Sequence, residues 1–401
     1  MSETNKERER IIANGLYVLP KLGSKRLRKL YENIGCIESI LQYSKNDLME
    51  LLSGSKPESL FQILEEYQHN PDSVFKRMEK FCKEQEEKGI RFTFIGEEEY
   101  PNKLKRISDP PFGIYYKGHL PKQETPMVSI IGARECSEYG RKCAKMFGET
   151  LAEYGVAIVS GMARGIDGIS QQAALDTGGE SFGILGCGVD ICYPEENREL
   201  YDQLILKGGI ISEYPPGMPA KSNHFPARNR IISGMCDILL VVEARKKSGT
   251  YITVCQALEQ GREIFAVPGR ITDGLSDGCN RLISDGAGMA ADPMMVLDAL
   301  CGINGASSRG SVKAEEKDSA ILIDVGDHCI RDNVLKGLNS GIGVGSALLR
   351  ILEGTPISME EILLRLEKLG IEISYADLMC ELTDLCIDGR AEGIGNYYRK
   401  V

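Results

Sequence analysis

Between Met127 and about Leu300 the chain repeats one texture: a short, wholly apolar run, a turn closed by glycine, proline or polar residues, then a helical segment. The runs are MVSIIGA, VAIVSG, ESFGILGCG, GGIISEYP, DILLVVEA and EIFAVPG, each of strand length and mostly β-branched or leucine-rich. A strand without polar alternation is buried on both faces, and the helices between such strands supply the covering layers. This constrains the chain to a doubly wound α/β fold with a mostly parallel sheet. Ligands of such sheets bind beyond the carboxyl ends of the strands, so the residues directly after each run are where a function is expected.

The flanks read differently. Residues 1–90 carry apolar positions at helical spacing, as in LRKLYENIG and SLFQILEEYQ, and predict a small all-α domain. Within it, LYVLPKLGSKRLRKLY sets a proline-glycine turn before Lys25, Arg26, Arg28 and Lys29. That is either a helix-hairpin-helix contact for phosphate or an ordinary αα-hairpin with a solvated basic face. Residues 91–301 form the α/β domain, and the glycine, serine and charge of 302–341 read as a linker. Residues 342–401 give three helices and a terminal hairpin, the winged-helix order, with Ser358 and Glu361 as a capping box and GIGN as the hairpin turn.

Apolar residues make up 42% of the 401-residue chain and charged residues 26%, the balance of a folded globular protein. No apolar run approaches the roughly 20 residues of a membrane helix. The start MSETNKERER lacks a signal peptide's apolar centre, so a cytoplasmic protein without membrane contact is expected. The 13 cysteines form no C-x-x-C pair and the 4 histidines stand at no ligand spacing, so no metal or cofactor is expected. A net charge of −10 opposes nonspecific attraction of nucleic acid to the whole surface. Locally the sign reverses: Lys221, Arg228, Arg230, Arg245, Lys246 and Lys247 face only Asp237 and Glu243 within the same stretch.

The strand ends carry glycine together with cations. GARECSEYG follows the first run with Gly132 and Arg134, SGMARGID follows the second with Ser160, Gly161, Arg164 and Gly165, and EARKKSGTYIT follows the fifth with Lys247, Ser248, Gly249 and Thr250. Together they read as a phosphate-binding rim, where glycine lets the backbone approach a ligand closely. Between the fourth and fifth runs, FPARNRII supplies Phe225 as a flat face for a base and Arg228, Asn229 and Arg230 as polar donors, before a helix that starts near Arg228. Single-stranded nucleic acid suits that set. The competing reading makes Phe225 core and pairs the two arginines with Glu213 or Glu243. No loop fits G-x-G-x-x-G or the P-loop pattern, and Ser160, Ser248 and Thr250 lack a histidine base, so a catalytic reading has little material.

These segments resemble the DNA-processing protein A family, also called DprA or Smf, over essentially the full chain. The resemblance rests on YPNKLKRISDPPFGIYYKG, IIGARECSEYG, IVSGMARGIDGISQQAAL, LGCGVDICYPEENREL, SEYPPG, HFPARNRIISG, VVEARKKSGTYIT and FAVPGRITDGLSDGCNRLI in that order. It implies an extended Rossmann-type domain between a helical N-terminal domain (SAM-like or helix-hairpin-helix) and a winged helix. It also implies single-stranded DNA and the RecA recombinase as partners in natural transformation, a homodimer, and no established chemical reaction. Carried over by position, Arg134, Arg164, Phe225, Arg228 and Lys247 would line the DNA groove. This chain has Gln171 where the family usually has histidine, and Ala133 where serine or threonine is usual. The same Rossmann variant is similar to LOG-like nucleotide phosphoribohydrolases, an enzymatic alternative echoed only by Ser248-Gly249-Thr250. The acidic stretch YADLMCELTDL (375–385) in the winged helix points to a protein partner there instead of DNA.

Overall fold

The computed structural model describes residues 3–52, 57–246, 248–308 and parts of 348–400. Two compact units are formed, Met1–Cys301 and Gly302–Val401.

In the first unit the six apolar runs are the strands β3 (Met127–Ile131), β4 (Ala157–Ser160), β5 (Ser181–Leu185), β6 (Gly208–Ser212), β7 (Ile238–Val241) and β8 (Glu263–Ala266). They join β1 (Arg91–Phe94), β2 (Gly113–Gly118) and β9 (Gly288–Met289) in one nine-stranded sheet of order β1-β2-β6-β5-β4-β3-β7-β8-β9. Strands β3 to β9 pair in parallel, whereas β1 and β2 add an antiparallel margin beside β6. The chain therefore winds from β3 outward to β6, then returns to lay β7 against the other side of β3. The β3/β7 boundary is the topological switch point at which such sheets open a crevice.

Every residue of β3, β4, β5, β6 and β7 is buried, as their unbroken apolar texture requires. The few serines in these strands are satisfied by the backbone. Ser129 donates to the Ile232 carbonyl (2.7 Å), Ser160 to Ile130 (2.6 Å) and Ser181 to Ile158 (2.8 Å). A buried hydroxyl without such a partner would cost roughly 1–3 kcal/mol.

Helices α1 (Glu3–Tyr17), α2 (Gly23–Ile34), α3 (Ile37–Ile40), α4 (Lys45–Leu51), α5 (Glu58–His69) and α6 (Pro71–Glu86) precede the sheet. Their layer closes on its antiparallel margin, where the Tyr17 ring meets Phe92, Phe112 and Tyr115 at 5.6–6.0 Å. Between β1 and β2 lies α7 (Asn102–Lys105), the crossovers are α8 (Glu138–Glu153), α9 (Ile166–Asp176), α10 (Arg198–Lys207), α11 (His224–Met235), α12 (Thr250–Glu259) and α13 (Asp277–Ser284), and α14 (Pro293–Ser308) follows β9. Helix α9 packs with α8 and α10, and α11 with α12, while α9 and α11 both touch β3, β4 and β5; the two groups cover opposite faces.

Helix α14 continues through Ser308, so the segment expected as linker from 302 begins in helix; 309–347 lie outside the described residues. In the second unit, β10 (Ile357–Ser358), α15 (Met359–Lys368), β11 (Ala391–Ile394) and β12 (Tyr397–Lys400) follow, with the strands in the order β10-β12-β11. The expected cap is present, with the Glu361 amide donating to Ser358 Oγ at 3.3 Å. Of the acidic stretch 375–385, residues 375–377, 380, 383 and 384 lie outside the described residues, as do Gly395 and Asn396 of the hairpin turn.

Candidate nucleic-acid interface

Loops after β3, β4 and β7 meet helix α11 at the switch point and enclose a cavity of about 540 Å3, bordered by Gly132, Arg134, Phe225, Arg228, Asn229, Arg245, Ser248, Gly249 and Thr250. Each loop is held from beneath. After β3, Ser137 caps α8 by accepting from the Gly140 amide (3.1 Å), and its own amide donates to Glu243 (2.9 Å), which is only 1% exposed. After β4, Gly165 has φ +75°, and a Cβ there would stand 2.3 Å from the Ala133 carbonyl oxygen. Only glycine fits where these two loops touch. Met162 in the same turn also holds a positive φ of 53°, and its amide donates to Gln171 Oε1 at 3.0 Å. Gln171 thus props the loop from the core. After β7, residues 248–250 open α12 onto the cavity, and Ser248 Oγ is buried without a hydrogen-bond partner among the described residues.

Helix α11 starts at His224, earlier than expected, with Pro226 tolerated in its first turn. The whole of FPARNRII is therefore helical. Residues three or four apart share a helix face, so Phe225, Arg228, Asn229 and Ile232 line the cavity together. Arg230 lies about 200° round the helix from Arg228. It pairs with Glu213 (2.8 Å) and Asp109 (3.5 Å) and donates to the Asp109 carbonyl (3.0 Å). Burial opposes its charge, but Glu213 and Asp109 outweigh that and hold the guanidinium above its ordinary range. Arg230 is a lock for α11, not a groove donor, and the competing reading holds for it.

Arg228 faces the cavity but is 5% exposed. Its Nη1 donates to the carbonyls of Gly161 (3.0 Å) and Ile184, and its Nε to Asn229 Oδ1 (3.2 Å). Burial lowers its pKa to about 10 although Asp167 opposes the shift; burial likewise raises Asp167, against the pull of Arg228. The expected fork of free donors is thus largely committed to tying the ends of β4 and β5 together. A Cβ on Gly161 would meet both Arg228 Nη2 and Asp167 Oδ2 at 2.7 Å, so that glycine makes room for the pair. Ser160 is likewise corrected: its hydroxyl is 0% exposed and bound to Ile130, out of reach of a ligand.

Arg134 and Arg245 are exposed cations of the rim, and neither forms a salt bridge among the described residues, although the charge of Arg134 acts on buried Asp167. Arg164 pairs with Glu196 on the surface. Lys247 lies outside the described residues. Phe225 is half-buried, with the Arg134 and Arg228 guanidinium carbons 6.0 and 5.9 Å from its ring centroid and the Tyr193 ring at 5.3 Å. Sequence reasoning does not single out Arg245 or Tyr193 as site residues. Arg245 has a signal, since it stands in the basic stretch beside Lys247; Tyr193 has none, because nothing in YPEEN announces its approach to Phe225.

The N-terminal basic turn takes the ordinary course. Lys25 and Arg28 reach Asp109 at 3.3 and 2.9 Å, and Arg26 donates to the Lys21 carbonyl (2.9 Å). These contacts dock α2 on the same Asp109 that receives Arg230.

A family model described as DNA recombination-mediator protein A matches residues 91–300. The DNA processing protein DprA of Streptococcus pneumoniae (strain ATCC BAA-255 / R6) is 38% identical over 269 residues, covering 65% of this chain and 91% of that protein. Protein Smf of Escherichia coli (strain K12) is 41% identical over 202 residues, 50% of this chain and 54% of its own length. An X-ray structure of DNA processing protein A from Streptococcus pneumoniae superposes with a TM-score of 0.60 at 33% identity, covering 74% of this chain and 98% of that one. With the matched region spanning the whole nine-stranded sheet and the cavity at its switch point, the chain belongs to the DNA recombination-mediator protein A family.

Proposed function

We propose that the protein binds single-stranded DNA with no defined target site and delivers it to a recombinase of the RecA type. The observation that carries the reading is the switch-point cavity. There exposed Arg134 and Arg245, in no salt bridge among the described residues, stand near Ser248 and the half-buried ring of Phe225. Guanidinium groups and a helix start suit phosphate oxygens, and an accessible ring suits an unpaired base. A base inside a duplex is stacked on both faces and cannot reach Phe225. The family's DNA-processing role supports the same conclusion.

A binding role also fits the fate of the nearby carboxylates. Asp167 accepts from the Gly161 amide (3.1 Å) and faces Arg228, and Glu243 accepts from Ser137. Both are engaged internally, which supports capture over hydrolysis of a nucleotide. A homodimer belongs to the proposal, supported by the exposed Met289, Met294 and Met295. A protein partner for the C-terminal unit is supported by the acidic stretch 375–385.

The test is affinity for matched single-stranded and double-stranded oligonucleotides at two salt concentrations. The proposal expects a clear preference for single strands that persists as salt rises. Equal affinity for both forms overturns it.

A further inference from the structure

Phe225, Arg134 and Arg228 also border a second cavity, of about 350 Å3, whose other walls include Gly186, Tyr193, Glu195 and Glu196. Its chemistry differs from that of the first. Tyr193 is 47% exposed, and its ring lies 5.3 Å from Phe225 with the planes tilted by 35°. Phe225 in turn packs over Gly186, where a Cβ would stand 3.1 Å from the ring. The phenol is thus braced from within and offers a free face outward. At the mouth, Glu196 takes up Arg164, while exposed Glu195 has no ion-pair partner among the described residues. Arg134, Arg164 and Arg228 line this cavity and exposed Glu135 borders the first, so it is the Tyr193 ring, with Glu195 beside it, that sets this cavity apart. A group presenting an aromatic face and an amine gains from both.

We infer that this second cavity is a base pocket, in which a nucleobase stacks on Tyr193 and Glu195 accepts from its exocyclic amine, so that cytosine is held better than thymine. Cytosine carries the N4 amine and thymine presents an oxygen at the equivalent position. The inference rests on the single-strand reading above and divides the labour across Phe225. Phosphate belongs to the side that Arg245 borders and base to the side of Tyr193 and Glu195, with Arg134 bordering both.

The experiment uses the full chain and three end-labelled probes of equal length: oligo-dC, oligo-dT and an abasic sugar-phosphate strand. Tyr193→Ala is expected to weaken both base-bearing probes by about tenfold or more, the scale of one stacked base, and the abasic strand by less than about twofold. Tyr193→Phe keeps the ring and stays within about twofold on all three. Tyr193→Leu keeps apolar cover without a ring and follows Tyr193→Ala, which separates stacking from a local packing defect. Wild type is expected to favour dC over dT by about threefold or more, and Glu195→Gln to shrink that ratio. An equal loss on abasic and base-bearing strands, or no loss on either, overturns the base pocket. If wild type binds no single strand at all, the parent reading fails instead; if it binds with a steep salt dependence and Tyr193→Ala is indifferent, only the base pocket falls.

Discussion

Arg228→Ala separates a structural arginine from a phosphate ligand. The residue is only 5% exposed, and its guanidinium supports the carbonyls of Gly161 and Ile184 from one side while facing Asp167, itself 7% exposed. Truncation leaves two carbonyls short of a donor and a buried carboxylate short of its countercharge. Breaking a buried pair by removing one partner costs about 3–5 kcal/mol. Burial already raises the pKa of Asp167 against the pull of Arg228, so the variant's Asp167 takes up a proton more readily, and the loss falls near the lower end. For a unit of this size that corresponds to a melting point lowered by roughly 5–6 °C. The sign with pH follows. In the variant the folded-state pKa of Asp167 lies further above its unfolded value, so folding binds a proton and stability falls as pH rises through that window. Thermal melts by circular dichroism near the unfolded carboxylate value of 3.8 and at about pH 7 should therefore show the larger deficit at the higher pH. Arg228→Ala/Asp167→Asn should recover part of it, because the uncompensated charge is gone. An Arg228→Ala protein that melts within about 1 °C of wild type yet loses DNA affinity would refute the reasoning, since the side chain would then face the ligand.

Three further outcomes are expected. Gly165→Ala should lose roughly 1–3 kcal/mol of stability from backbone strain alone, with more from the clash with Ala133, whereas Gly249→Ala, with nothing within 4 Å of its Cβ position and no positive φ, should melt as wild type. Lys25→Ala/Arg26→Ala should weaken strand binding less than Arg134→Ala/Arg245→Ala, because α2 uses its cations on Asp109 and its own turn; titrations of the two double variants give the ranking. His224 stacks on Tyr214 at 4.0 Å and has its pKa lowered by burial, with the Gly186 carbonyl opposing. The unfolded chain then binds the proton more readily, so this contribution to stability is present above the unfolded value of 6.5 and is lost as pH falls toward the folded one. The melting point of His224→Gln should accordingly vary less across that interval than that of wild type.

The six parallel strands are legible in the sequence because each is a closed apolar run, and a sheet covered on both faces needs no more than that. β1 and β2 are not: RFTF and GIYYKG mix polar residues or glycine into the run, and they pair with each other and with β6 only through contacts distant in the chain. The cavity itself is legible as glycine and cations at strand ends. The division of labour among its residues is not. Arg228 and Arg230 look equivalent in FPARNR, yet a helix turns them about 200° apart. The partner that claims Arg230, Asp109, lies 121 residues away. Ser160 reads as a ligand contact because it ends a strand beside glycine, but a serine inside a parallel sheet is consumed by its neighbour's carbonyl. The pattern around Phe225 suits core and surface alike, and half-buried packing against Arg134, Arg228 and Tyr193 is the arrangement found.

The most direct measurement is the slope of log affinity against log salt for a single-stranded oligonucleotide, compared between wild type and Arg134→Ala/Arg245→Ala. On a single strand, each phosphate that is no longer neutralised makes the slope shallower by about 0.7. If the switch-point cavity holds the strand through these two exposed arginines, the double variant should show a slope shallower by roughly 1.4, with its melting point unchanged. A double variant that binds with the wild-type slope would contradict placement of the strand in that cavity.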